Sequence, residues 1–108
     1  MIVVIFEAAP DGRELDRYLG IAADLRPQLD KIDGFISIER FKSLSDPNRV
    51  LSLSFWENEA AVAAWRRAPN HRAAQEIGRN EVFTDYRIRV ASVLRDYGMD
   101  ERTQAPQR

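Results

Sequence analysis

One stretch of this chain gathers its chemically versatile side chains. SFWENEAAVAAWRRAPNHRAAQ, residues 54–75, holds both tryptophans, Trp56 and Trp65, and the single histidine, His71. Histidine takes up and releases a proton near neutral pH. An indole offers a flat face for stacking and one N–H donor. Trp65 and His71, six residues apart across the break at Ala68-Pro69-Asn70, are therefore candidates to hold a ring compound and move its proton. The competing reading is packing. A tryptophan on an apolar helix face belongs equally well in a core, and a histidine after Pro-Asn can cap a helix or lie at the surface. Arg66, Arg67 and Arg72 crowd the same break, either as solvated charges or as a mouth that favours an anionic substrate.

These residues need elements to position them. Residues 2–7, IVVIFE, are β-branched and aromatic and read as a buried strand. Asp11-Gly12-Arg13-Glu14 has the spacing of a capped helix start. The stripe Leu15, Tyr18, Leu19, Ala22, Ala23, Leu25 and Leu29 follows, with Pro27 expected to kink or end the helix near Arg26. After the turn at Asp33-Gly34, residues 35–42 and 49–56 read as two strands of a hairpin joined through Ser45-Asp46-Pro47-Asn48. A helix over 57–67, capped by Asn58, should turn Ala61, Val62 and Trp65 inward. Pro69 breaks it, a second helical piece covers about 70–77 and ends at Gly78, and residues 83–94 make a fourth strand. The order β-α-β-β-α-β is that of a ferredoxin-like α+β fold, one antiparallel four-stranded sheet with helices on one face.

Strand alternation then assigns faces. Leu51, Leu53 and Phe55 point one way, and Val50, Ser52, Ser54 and Trp56 the other. Phe35, Ser37, Glu39 and Phe41 oppose Ile36, Ile38 and Arg40. Trp56 and Phe35, with the hydroxyls of Ser37, Ser52 and Ser54, are the expected wall of a substrate pocket. The packing alternative puts Trp56 under the helix or at a subunit seam. Glu39 and Arg40 read as an ion pair at the sheet rim. Neither face is cleanly polar, so the side away from the helices needs a cover, and a second copy of the chain is the economical one.

Bulk composition excludes several functions. Lys+Arg 16 against Asp+Glu 17 gives a net charge of −1, which removes the electrostatic case for nucleic acid or an anionic membrane as main partner. Without cysteine there is no disulfide, thiolate nucleophile or thiolate metal site, and one histidine leaves no metal-ligand set. No glycine-rich phosphate loop is present. The N-terminal apolar run lacks a preceding basic region and is too short for a signal peptide or membrane span, so a cytoplasmic location is expected. At 108 residues the chain reads as one domain over 1–97, with a polar tail, 98–108, expected to fray.

The order of elements, the Gly-Phe that opens the second strand, SFWENEAAVAAW and the following PNHRAA together resemble the antibiotic biosynthesis monooxygenase family over about residues 2–97. Its best local signal here is Trp56, Ala61 and Trp65, followed shortly by a histidine. The resemblance implies a dimeric α+β barrel, two copies joined through their sheets. One branch of that family degrades haem, with an axial His ten residues after the helix Trp and an Asn on the first strand. Here Gln75 and Ile5 stand at those positions, so haem degradation is disfavoured. Another branch comprises cofactor-free oxygenases, with a polar ring residue about six positions after the Trp. Trp65 and His71 match it in kind. The implied function is a monooxygenase that needs no cofactor and oxidises a small phenol, quinol or polyketide-like compound with O₂, with Trp65 and His71 as its catalytic pair. The alternative is a non-catalytic small-molecule-binding or stress-response domain on the same scaffold.

Overall fold

A computed structural model describes residues 1–10, 14–68 and 83–106. The elements run β1 (Ile2–Pro10), α1 (Leu15–Leu29), β2 (Phe35–Lys42), β3 (Val50–Trp56), α2 (Glu59–Arg67) and β4 (Phe83–Ser92). The four strands form one antiparallel sheet in the order β2-β3-β1-β4, which is the ferredoxin-like arrangement expected from the element order. β1 is an inner strand, beside β3, for a plain reason: its β-branched run can be buried on both faces. It pairs with β3 from Ile2–Trp56 to Ala8–Val50, and with β4 from Ile2–Ser92 to Ala9–Asp85, with a shift before Pro10–Phe83.

The local chemistry works as the residues dictate. Asn58 accepts a hydrogen bond from the Ala61 N–H at 2.9 Å and so caps α2. In the β2–β3 turn, Asp46 accepts from the Asn48 N–H at 3.0 Å, and the Ser43 hydroxyl accepts from the N–H groups of Ser45 and Asp46. The proposed cap at Asp11 and the helical piece over 70–77 lie outside the described residues.

Two expectations are corrected. Pro27 does not end α1, which continues to Leu29. Leu29 is almost fully buried among Trp56, Ala61, Val62 and Trp65. Arg26 reaches the Ile38 carbonyl and lies 5.5 Å from the centre of the Phe35 ring, so the last turn is fastened to β2. Tertiary packing here outweighs the hydrogen bond that proline removes. Second, the pairing of β2 with β3 shifts between Phe35 and Ser37. This irregularity breaks the strict alternation. Phe35 packs edge-on against Trp56, ring centres 5.2 Å apart, on the helix-covered face, whereas Ser37 is exposed beside Phe55 on the other. The tail makes contacts within itself. The Asp96 N–H donates to the Gln104 side chain at 2.8 Å, and Arg102 stacks 5.3 Å from the Tyr97 ring.

The helix-covered face carries two core clusters. Leu29, Trp56, Ala61, Val62 and Trp65 form one; Ala8, Tyr18 and Val50 form the other. The opposite face presents Val3, Ile5, Leu51, Leu53 and Phe55, half-buried, with Glu7 held between Arg49 at 3.4 Å and Arg89 at 3.3 Å. Among the described residues, no helix is long and apolar enough to cross a membrane.

Gly34 holds the entry to β2. Its φ of +91° is costly for any residue with a Cβ, and a Cβ there would sit 2.8 Å from that of Ala61. Gly34→Ala is expected to cost about 1–3 kcal/mol. Urea unfolding measures this, and an unchanged midpoint would contradict it.

Candidate functional site

Alternation along β3 turns Val50, Ser52, Ser54 and Trp56 toward the helices, and all four are buried. Ser52 and Ser54 therefore occupy the sheet positions between the two core clusters. Trp56 is 2% exposed, and its indole N–H donates to the Ser54 hydroxyl at 2.9 Å. That bond is internal: it uses the only donor of the indole, so Trp56 has no polar group spare for a substrate, while the Ser54 hydroxyl keeps its own proton to donate. Trp56 and Ser54 are thus brought together, as expected, but as a packed and bonded pair. Phe35 joins them through its ring contact. Ser37 does not, because the sheet separates it from Ser52 and Ser54. Trp65 sits on the buried side of α2 in the Trp56 cluster. The position of His71 lies outside the described residues.

The other cluster holds what sequence reading missed. Tyr18 of α1 is buried over Ala8 and Val50. Its hydroxyl accepts a long hydrogen bond, 3.4 Å, from the Nε–H of Arg40 on β2. Arg40 and Glu39 do not form the expected rim ion pair, since consecutive strand residues point to opposite faces. Register places Arg40 directly beside Ser52, Ser52 beside Phe6, and Phe6 beside Ile88. One row across the helix-covered face therefore runs from a cation through a hydroxyl to apolar side chains. The available signal was parity: Arg40 shares its face with Ile38 and with the buried positions of β3.

Toward β4 this face becomes an apolar ledge. Tyr86, Ile88 and Val90 are 39, 49 and 47% exposed. Phe6 and Tyr86 form a tilted ring pair 5.8 Å apart. Exposed aromatic and branched side chains beside buried hydroxyls offer a ring compound an apolar surface with a few polar anchors, the usual make-up of a small-molecule site. A groove of about 410 Å³ at the hairpin end of the sheet, lined by Glu7, Phe41, Lys42, Arg49 and Leu51 among others, is the poorer candidate. Its acid is already paired with Arg49 and Arg89.

Comparison with known proteins supplies the frame. The family model for antibiotic biosynthesis monooxygenase matches residues 1–77. A protein of Pyricularia oryzae named jasmonate monooxygenase ABM is 50% identical over 93 residues, covering 86% of this chain and 43% of its own length. An uncharacterised protein of Bacillus subtilis is 32% identical over 92 residues, covering 85% of this chain and 73% of that protein. The chain thus spans less than half the length of the Pyricularia relative. Among solved structures, one from Deinococcus radiodurans superposes with a TM-score of 0.77 at 16% identity, covering 92% of this chain and 98% of that one. One from Mycobacterium tuberculosis gives 0.78 at 15%, covering 90% and 98%. At such identities these structures speak for the fold alone. With the family model covering most of the sequence and the sheet order agreeing, the chain belongs to the antibiotic biosynthesis monooxygenase family.

Proposed function

We propose that this chain is a monooxygenase that inserts one atom of O₂ into a small ring compound bound on the helix-covered face of the sheet, without a cofactor. The observation that carries the reading is the 50% identity to the protein named jasmonate monooxygenase. The apolar ledge and the flanking hydroxyls support it. Candidate substrates are phenols, quinols and polyketide-like compounds, to which the relative's name adds jasmonic acid, a cyclic keto acid. These share a proton made acidic by a ring hydroxyl or a neighbouring carbonyl.

In this reading a base takes that proton, and His71 is the residue suited to it. The resulting anion passes one electron to O₂. Radical and superoxide combine at the carbon next to the carbonyl, or at the ring carbon ortho or para to the phenolic oxygen, and the peroxide takes back the proton held by the base. As that carbon still bears a hydrogen, loss of water from the hydroperoxide leaves a carbonyl. One oxygen atom stays in the product and the other leaves as water. A methylene carbon supplies all the electrons needed. The protein's part is to exclude water and to hold the ring, with Phe6 and Tyr86 as the apolar surfaces at one end of this face and Trp65, in the other cluster, as the stacking candidate at the opposite end.

Oxygen uptake by metal-stripped protein, offered jasmonic acid and a panel of hydroquinones and anthrones, tests the proposal. Substrate-dependent uptake is expected. Ligand-induced thermal stabilisation without uptake would instead mark a binding domain.

A second copy of the chain covers the face carrying Val3, Ile5, Leu51, Leu53 and Phe55. Its apolar strip, bounded by the Glu7–Arg89 and Glu7–Arg49 pairs, has the composition of an obligate interface. Sedimentation at micromolar concentration is expected to show a dimer, and a stable monomer would contradict this.

A further inference from the structure

Arg40 is a half-buried cation on the helix-covered face, and among the described residues no carboxylate pairs with it. Withdrawing a guanidinium from water without a counter-charge is costly. The chain nonetheless orients it: the Nε–H is committed to the Tyr18 hydroxyl. At 3.4 Å this contact turns the Nε–H toward Tyr18 and leaves the N–H groups on the terminal nitrogens for another acceptor. That fork matches a carboxylate, which accepts two parallel hydrogen bonds. Ser52, its neighbour in register, is 7% exposed, and among the described residues no hydrogen bond engages its hydroxyl. Since no fully buried polar side-chain atom among the described residues lacks a partner, that hydroxyl is not completely enclosed, and its proton is uncommitted toward the same anion. Lys42, two residues on along the same face, is a second cation with no acidic partner among the described residues.

We propose that Arg40, with Ser52 beside it and Tyr18 positioning its guanidinium, binds the carboxylate of the substrate, so that the chain acts on small cyclic acids rather than on neutral ring compounds. This rests on the proposed function for its substrate, and on Arg40 itself for the anion. The apolar body of the acid extends along the row from Ser52 toward Phe6 and Ile88.

The test compares binding of jasmonic acid and its uncharged methyl ester by titration calorimetry, with no turnover required. Wild-type protein is expected to prefer the acid. Arg40→Gln should reduce the ratio of acid to ester affinity by about 10- to 100-fold, the scale of a charge-assisted hydrogen bond. Arg40→Lys, which keeps the charge without the fork, should retain an intermediate ratio. Equal affinity of wild type for acid and ester overturns the proposal whether or not the variants fold. So does an acid preference that survives in folded Arg40→Gln. If acid preference depends on Arg40 and no oxygen is consumed, the carboxylate site stands and the oxygenase reading falls. If oxygen is consumed equally with acid and ester, the reverse holds.

Discussion

Trp56→Ala is expected to remove about 3–5 kcal/mol of stability, the scale of a large-to-small change of a buried aromatic. Trp56 is the largest fully buried side chain among the described residues. It ties β3 to the β2 edge through Phe35 and to both helices through Leu29, Val62 and Trp65. Its removal leaves a cavity at the point where these elements meet. It also frees the Ser54 hydroxyl, whose hydrogen-bond partner is the indole N–H. Against a native stability of about 5–15 kcal/mol for a domain, such a loss leaves a marginal fold. Urea unfolding followed by circular dichroism measures it. Ser54→Ala strands the indole donor instead and should cost about 1–3 kcal/mol. A loss below 1 kcal/mol for Trp56→Ala would show that the cluster does not hold the helices to the sheet.

His71→Ala is expected to show the opposite pattern: little change in unfolding midpoint, but turnover lower by about 10²-fold, as for removal of a general acid–base group. Trp65→Phe separates the two behaviours. Its side chain packs in the Trp56 cluster, so about 1–2 kcal/mol of stability should go from packing alone. A role in ring binding requires a further loss of affinity, beyond what the smaller folded fraction explains. Steady-state kinetics on variants matched for folded fraction make the comparison. Wild-type kinetics in both variants would reduce Trp65 to packing and His71 to a bystander.

Much of this architecture was readable from local chemistry. The Asn58 cap, the Asp46 turn bond and the turn at Gly34 each depend on residues near in sequence, so their types announce them. What was not readable depends on partners far along the chain. Pro27 read as a kink or a stop, and the stop is excluded only by the burial of Leu29 against α2, which is invisible to a helix-breaking rule. Phe35 and Ser37 looked like neighbours on one face until pairing with β3 introduced a shift. The candidate site divides the same way. Trp65 and Trp56 were identified from type and spacing, yet only the fold reveals that the Trp56 indole is spent on Ser54. Arg40 was visible as a charge in mid-strand, but its partner Tyr18 lies 22 residues away on another element. No spacing rule joins them.

The most direct measurement is isotopic. Metal-stripped protein is incubated with a substrate that supports oxygen uptake, under heavy-isotope O₂ in ordinary water, and the product is weighed by mass spectrometry. One heavy oxygen atom per product molecule is expected, fixed as a carbonyl and read before exchange with water, with the second atom recovered in water. Product lacking the label, or labelled only when the water carries the heavy isotope, would contradict it.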